Sequence, residues 1–591
     1  MAGFLLTNRC FSSEDKSKCL SSLHKGGETI SFSSISSPHL LFSLFDVDNY
    51  FSPASHHGVT LASFGRPTFS LSQLQSAKSL PSSGGLANRL LLNTYLTQGI
   101  DELLRTINGT CVVVISDYPH LYVITDLMGY VPAFAYNPQN IDDFIISSSP
   151  ELISKFANTP LDEVSLAEFL LQHKITPPYT YYEEVKYLGA ASCHCWNLQD
   201  STYLSWNYWK PFTDGFYSSI DDAVTEITSA VQLAIKERTH TGTIGTYTSG
   251  GLDSRMILFA CDNPNRVKAI NLYDEENREA NIAQQLCSKA NVQYIPFQRS
   301  KDYYPHWLTA GVLSCEGMWS AFDNHFLGTK DFLHSLGATT VMSACSADML
   351  FKQCNLDRFV PQYFGCRPGW FKPKKFWNGG FIDPPVEHHP LHYLEAAMKS
   401  RRDSWFGFPP GRLNPLSSIL IADKRSRPLV YSAGLSFFTF FTHFPYDNFI
   451  GDRRVAECYA RMPTHFRLNS DVWKRVVANL CGDDIVNANT GLRPLASWRE
   501  VWVNRCKSKL QPKSTSLTLH NEGSWPTFLW YMHHSPTISR LWSSITPHEL
   551  EYISRILNSD SWFKPLHSWA SHDDRFFFRI LSTLIFIRSY F

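Results

Sequence analysis

Tyr247-Thr248-Ser249-Gly250-Gly251-Leu252-Asp253-Ser254-Arg255 lies between an apolar run, Thr243 to Thr248, and a helical pattern, Arg255 to Cys261. A strand ends, two glycines turn the chain and a helix begins. The glycines remove side chains so that backbone N–H groups can close on an anion, Ser249 and Ser254 add hydroxyl donors, and the positive end of the helix points to the same place. This is the chemistry of a phosphate cradle. Asp253 would be unfavourable beside phosphate without a cation between them, so the turn predicts Mg2+ bridging Asp253 and a polyphosphate. There is no G-x-x-x-x-G-K-[ST] pattern and no Lys in the turn, which excludes a Walker-type loop. The plainer alternative is a Ser/Gly turn that only joins strand to helix.

Outward from the turn, the order continues as strand Val267 to Tyr273, helix Arg278 to Ala290 and strand Val292 to Phe297. Alternating units of this length predict a parallel sheet covered by helices. Beyond Ala310 the pattern is mostly helical, and the Trp-rich end of the chain, with Trp525, Trp530, Trp542, Trp562 and Trp569, reads as a helical extension on that core. Upstream, Asp221-Asp222 opens an amphipathic helix (Ala223, Ile227, Ala230, Val231, Ala234) that carries Lys236, Glu237 and Arg238 near its end. Trp206 to Gly215, polar and rich in turn residues, is the linker candidate. Before it, short apolar runs such as Cys111 to Ile115 and Leu121 to Ile124, separated by Asp117-Tyr118-Pro119, predict adjacent strands. Lys78 to Gly85 reads as a loop and Leu86 to Gly99 as a helix, with Leu90, Leu91, Tyr95 and Leu96 at helical spacing. The expected domains are 1–208, 216–510 and 511–591.

With 53 Lys+Arg against 53 Asp+Glu in 591 residues, no excess of charge is there to recruit a polyanion, so nucleic acid is not an expected partner. The 14 cysteines are scattered and the N-terminus lacks a basic flank and a long apolar run, so the thiols are read as reduced and the protein as cytoplasmic. No stretch reaches the roughly 18 to 20 apolar residues of a membrane span. The nearest, Phe576 to Phe591, is interrupted by two arginines. The pairs His56-His57, His388-His389 and His533-His534 lack zinc-site spacing and are read as surface residues, and Cys193-His194-Cys195 as part of a strand.

Ser249-Gly250-Gly251-Leu252-Asp253-Ser254 resembles the pyrophosphate loop of the N-type ATP pyrophosphatases. Its place after a β-rich region of two hundred residues is similar to the asparagine synthetase and β-lactam synthetase superfamily. The resemblance implies an α+β Ntn-hydrolase-like domain of the class II glutamine amidotransferase type, then an α/β ATP pyrophosphatase domain with a parallel sheet and a helical extension. It also implies ATP and Mg2+ as cofactors, with Thr248, Ser249, Gly250, Gly251, Leu252, Asp253 and Ser254 around the nucleotide. A substrate carboxylate attacks the α phosphate, and an amine then displaces AMP to form an amide. Asp274 to Ala283 resembles the acidic segment after the second strand, where Glu279 is the best match for a substrate or metal contact; the alternative is a solvated acidic helix start. Ser343-Ala344-Cys345-Ser346-Ala347-Asp348-Met349-Leu350-Phe351 is similar to the second signature, with Asp348 as second metal ligand. Ala344, Ser346, Met349, Lys352 and Cys354 stand where the pattern has Gly, Gly, Glu, Gly and Tyr. His443-Phe444-Pro445-Tyr446-Asp447 and the basic residues after it resemble the family's C-terminal stretch. Its catalytic Lys is not in the usual setting, which leaves Lys474 and Arg493 as candidates for stabilising charge on the adenylate, against a surface or structural role.

Glutamine-dependent members use a Cys after the initiator Met, with its freed α-amine as base. Here Met1-Ala2-Gly3-Phe4 offers no such nucleophile, Cys10 has no adjacent α-amine, and Ala62 to Arg66 stands where a glutamine-holding segment is expected. Asn108 to Cys111 and Asp126 to Tyr136 still resemble that domain's landmarks, so its fold is expected without glutaminase activity. The amine then comes from a substrate, as in ring-forming relatives, and Gln284 to Ile295 looks especially like microcin-type lasso cyclases. The leading expectation is a lasso-peptide macrolactam synthetase with a precursor peptide and a leader peptidase as partners. Ammonia-using amidotransferase, small-ring synthetase and non-catalytic scaffold are the alternatives.

Overall fold

A computed structural model describes residues 3–7, 35–36, 39–43, 52–140, 143–211, 215–319, 324–352, 391–406, 443–482, 485, 528–569 and 574–590. Ala2, Cys10, Cys354, His388-His389 and Arg493 lie outside the described residues. Among the described residues the first half holds two six-stranded sheets. One runs Val185–Tyr187, Phe134–Tyr136, Ile145–Ser147, Gly3–Thr7, His39–Ser43, Ile35–Ser36; the other runs Thr202–Asn207, Ser192–Asn197, His120–Ile124, Gly109–Asp117, Val59–Pro67, Ala54–His56. Every pairing within them is antiparallel.

The two expected strands around Asp117-Tyr118-Pro119 are present, Gly109–Asp117 against His120–Ile124 with Asp117 opposite His120. Their apolar run is unbroken because the strand is covered on both sides. Val112 and Val114 join the cluster that holds Phe4 and Phe64, whereas Cys111, Val113 and Ile115 pack with Leu91, Leu92, Leu103 and Leu104 of the helix Leu86–Thr106. A strand with a wet face would alternate; a strand between two layers has no reason to. Phe4 stacks on Phe64 at 4.6 Å, which pins the first strand to the second sheet. The helix expected to stop at Gly99 continues to Thr106 with a kink there, where Gly99 has φ 84°.

In the second half the helix Ile220–Arg238 leads into a five-stranded parallel sheet of order Gln293–Gln298, Val267–Tyr273, Ile244–Tyr247, Thr340–Ser343, Tyr446–Asn448. The expected strand Val267 to Tyr273 is reproduced residue for residue. The described elements beyond Ala310 are mostly helices, as expected, and the last two strands, at four and three residues, are too short to show a period in the sequence. The linker candidate is corrected at its start. Trp206 and Asn207 are paired in a strand, and the Tyr208 hydroxyl donates to the Thr125 carbonyl at 2.6 Å.

The halves meet through buried polar groups. Thr110 donates to Asp447 at 3.1 Å and Asn108 to Asp452 at 2.9 Å, while Arg238 reaches both carboxylates. The C-terminal helix Asp574–Tyr590 packs against Glu163–Gln172 from the first half and Tyr303–Ser314 from the second. Gly317, at φ 73°, lets Phe586 come so close that an added Cβ would lie 2.5 Å from its ring. Among the described residues no helix is long and apolar enough to cross a membrane. The described cysteines are free thiols.

Candidate functional site

The strand order places the third, second and first strands to one side and the fourth and fifth to the other, so the chain reverses its direction of winding between Ile244–Tyr247 and Thr340–Ser343. In open α/β sheets a crevice opens at the carboxyl ends of the two strands flanking such a point. The Gly-rich turn follows the first of these strands, and the Asp348 turn follows the second.

Thr248 is anchored by its N–H to the Ile270 carbonyl at 2.7 Å, and its own carbonyl accepts from the Asn271 amide at 2.7 Å. Its hydroxyl is buried and makes no hydrogen bond among the described residues. Ser249 turns its hydroxyl back to accept the Gly251 N–H at 3.1 Å, and Ser254 donates to the Ser249 carbonyl at 3.0 Å. The buried Arg255 holds the Gly250 carbonyl at 2.7 Å. The helix Leu252–Ala260 starts from Gly251 with no side-chain cap. Its first amides are the orphan donors of a helix start. Gly251 has φ −73°, which any residue adopts, and an added Cβ would meet only the movable Ser249 hydroxyl at 2.9 Å. Backbone conformation therefore does not require a glycine here.

Asp348 sits on the short helix Ala347–Leu350. Ser346 precedes the helix at φ 73°, a left-handed conformation that favours glycine. The turn is fastened from outside. The Cys345 N–H donates to the Ser343 hydroxyl at 3.2 Å, and the Cys345 carbonyl accepts from Asn448 at 3.0 Å and from the Tyr130 hydroxyl at 3.4 Å.

The structure brings Asp253 and Asp348 together, and Lys352 lies between them. Its ammonium donates to Asp253 Oδ2 at 2.8 Å and to Asp348 Oδ1 at 2.7 Å. The other oxygen of Asp253 accepts the Trp473 indole N–H at 2.7 Å, and Trp473 is itself buried and stacked on Phe351 at 4.8 Å. Burial pushes the Asp253 carboxyl above its usual range against the pull of Lys352. The Lys352 ammonium, which burial alone would pull down, is held above its usual value by Asp253 and Asp348. As these side chains stand, the carboxylate pair does not fit a bridging Mg2+. Both oxygens of Asp253 are engaged, and the place of a cation is taken by the lysine.

Glu279 is on the neighbouring connection, in the first turn of the helix Arg278–Lys289, whose start is capped by Asn277. Lys474 follows Trp473 on the helix Asp471–Cys481 and pairs with Asp471 at 3.9 Å. Next to Glu279's connection, Asp274 accepts from the buried Arg299 at 2.9 Å, and Tyr304 shares a hydrogen bond with His325 at 2.6 Å, which stiffens the ends of the second and third strands. The Cys193-His194-Cys195 run is strand, with both sulfurs in the helix-covered layer and His194 bonded to the Tyr203 hydroxyl at 2.7 Å. Among the described residues no group of three or more His, Cys, Asp or Glu could hold a metal ion. Sequence reasoning missed Trp473 and the role of Lys352; the one signal was the i,i+4 spacing of Asp348 and Lys352.

Among solved structures the chain is similar to one titled as the allosteric regulatory enzyme of purine biosynthesis, at 10% identity and a TM-score of 0.26, over 50% of this chain and 80% of that one. It is also similar to glutamine phosphoribosylpyrophosphate amidotransferase from B. subtilis complexed with ADP and GMP, at 10% identity and a TM-score of 0.25, over 58% of this chain and 80% of that one. Likenesses this low carry no argument about fold or chemistry. No family model matches the chain. No curated protein matches it.

Proposed function

We propose that this chain is an ATP-dependent, AMP-forming amide ligase. The observation that carries the reading is the convergence of the Gly-rich turn and the Asp348 turn at the point where the sheet reverses its winding. The uncapped amides at Leu252 and the buried Thr248 hydroxyl are donors suited to phosphate oxygens, and they need not reorganise when charge develops there. In the proposed reaction a substrate carboxylate attacks the α phosphate of ATP, and the bond to pyrophosphate breaks. An amine then attacks the acyl carbon, AMP leaves with the bonding pair, and the amine loses a proton as the amide forms. Exclusion of water protects the acyl-adenylate from hydrolysis.

The finer reading is ring closure within one peptide, the lasso-type macrolactam, with a precursor peptide and a leader peptidase as partners and neither nucleic acid nor membrane. It rests on the sequence resemblance in Gln284 to Ile295 and on the aromatic C-terminal segment, which suits a peptide better than a small acid. The test is mass spectrometry of a candidate precursor peptide after incubation with the full chain, ATP and the processing peptidase in Mg2+-containing buffer. Loss of one water from the peptide with AMP release, both abolished by Asp253→Ala, is the expected result. AMP release that requires ammonium and a different carboxylate would replace ring closure with an amidotransferase. A second reading, a non-catalytic relative, is favoured by the internal bonds of Ser249, Ser254 and Asp253, and it predicts no AMP with any acceptor.

A further inference from the structure

The carboxylates of Asp253 and Asp348 come from turns that follow different strands, and nothing in their local sequence brings them together. The cation that holds them is part of the chain. Lys352 reaches back one helical turn to Asp348 and across to Asp253, and its side chain is only 16% exposed. A surface lysine would keep its ammonium in water; this one gives up most of its hydration for two carboxylates at 2.8 and 2.7 Å. Mg2+ would need near-octahedral oxygen ligands at about 2.0 to 2.1 Å. Here Asp253 Oδ1 is already held by Trp473 at 2.7 Å, and Oδ2 faces the ammonium. Removing the lysine would leave two close carboxylates without a counter-charge, a setting that attracts a divalent ion.

We propose that the Lys352 ammonium stands in for a protein-bound divalent cation, so that the Asp253–Asp348 pair takes no metal of its own. Its purpose rests on the ligase reading given above, because a polyphosphate beside the pair adds to the negative charge that must be offset; its presence does not. One positive charge on two carboxylates leaves the cluster with a net charge of about −1 where a divalent ion would leave it neutral. The lysine is therefore a tether and partial counter-charge, always present and independent of metal concentration.

The probe is Mn2+ alone, titrated into the full chain without nucleotide and followed by the electron paramagnetic resonance signal of the free ion. The wild type is expected to take up no Mn2+ that Asp348→Asn abolishes. Lys352→Met is expected to gain one site per chain, and Lys352→Met combined with Asp348→Asn to lose it. One Mn2+ per wild-type chain, lost in Asp348→Asn, would overturn the proposal. So would a folded Lys352→Met chain that gains no site. Should Lys352→Met fail to fold, the wild type against Asp348→Asn still decides, because Asp348 is 64% exposed and its replacement is tolerable. Failure to form AMP with every acceptor would remove the ligase reading and leave the metal result standing, whereas Mn2+ at the wild-type pair would do the reverse.

Discussion

Two single residues carry opposite kinds of unmet demand. The Thr248 hydroxyl is buried without a hydrogen bond among the described residues, which costs about 1 to 3 kcal/mol of desolvation. Thr248→Val keeps the shape and removes that cost. The chain should become more stable by about 1 kcal/mol in urea unfolding, while the KM for ATP in the AMP-release assay rises. Loss of stability would show that the hydroxyl has a partner in the folded state. Ser346 has the second demand, a side chain at φ 73°. The left-handed conformation costs a residue with a Cβ roughly 1 to 2 kcal/mol, and glycine returns roughly 0.5 to 1 kcal/mol of that in the entropy of the unfolded chain. Ser346→Gly should therefore stabilise by about 0.5 to 1 kcal/mol, again by urea unfolding, and an unchanged or lower midpoint would mean that the serine's own contacts outweigh the strain.

Elements were legible where they were long and local. Val267 to Tyr273 is a seven-residue strand with one partly exposed residue, and its apolar run gives both ends correctly. Thr340–Ser343 and Tyr446–Asn448 exist because neighbouring strands accept their hydrogen bonds, which no local pattern records. The site divides in the same way. The turn at Ser249 to Ser254 is contiguous and readable, but Lys352 meets Asp253 across 99 residues and Trp473 meets it across 220, so both had to wait for the sheet. Burial also hid a titrating group inside an apolar helix. Glu168, in Glu163–Gln172, accepts the Thr176 N–H at 2.9 Å and its hydroxyl at 2.7 Å, tying down the chain beyond the helix end. Burial pushes its carboxyl from 4.5 up to about 7 against those bonds. Between these values the folded chain binds more protons than the unfolded one, so Glu168 makes stability fall as pH rises through that window. Glu168→Gln keeps an acceptor for Thr176 and should flatten the slope, measured as urea midpoints below, within and above the window; an unchanged slope would mean that Glu168 is ionised throughout.

Across the whole molecule, the candidate site lies on a scaffold closed by charge between the halves. Arg238, at 1% side-chain exposure, pairs with Asp447 at 3.2 Å and with Asp452 at 2.7 Å, both carboxylates fully buried. Arg66, Thr110 and Asn108 reach the same carboxylates from the antiparallel sheets, and Asp447 leads directly into Asn448, which holds the Asp348 turn. A buried ion pair adds little net stability over an apolar filling, but deleting one partner leaves the other charge stranded, at a cost of about 3 to 5 kcal/mol. Arg238→Met should therefore destabilise by about that much at neutral pH. The pH dependence separates charge from packing. In the wild type Arg454 and Arg238 hold Asp452 well below the usual carboxylate range despite its burial, so its contribution is present above the unfolded value and is lost as pH falls through the folded one. In Arg238→Met one of the two guanidinium groups that hold Asp452 down is gone, so Asp452 takes up its proton at a higher pH than in the wild type and the gap between variant and wild type should narrow as the solution is acidified. A gap that stays constant with pH in parallel urea titrations would assign the loss to missing packing, and the halves would then be held by shape alone.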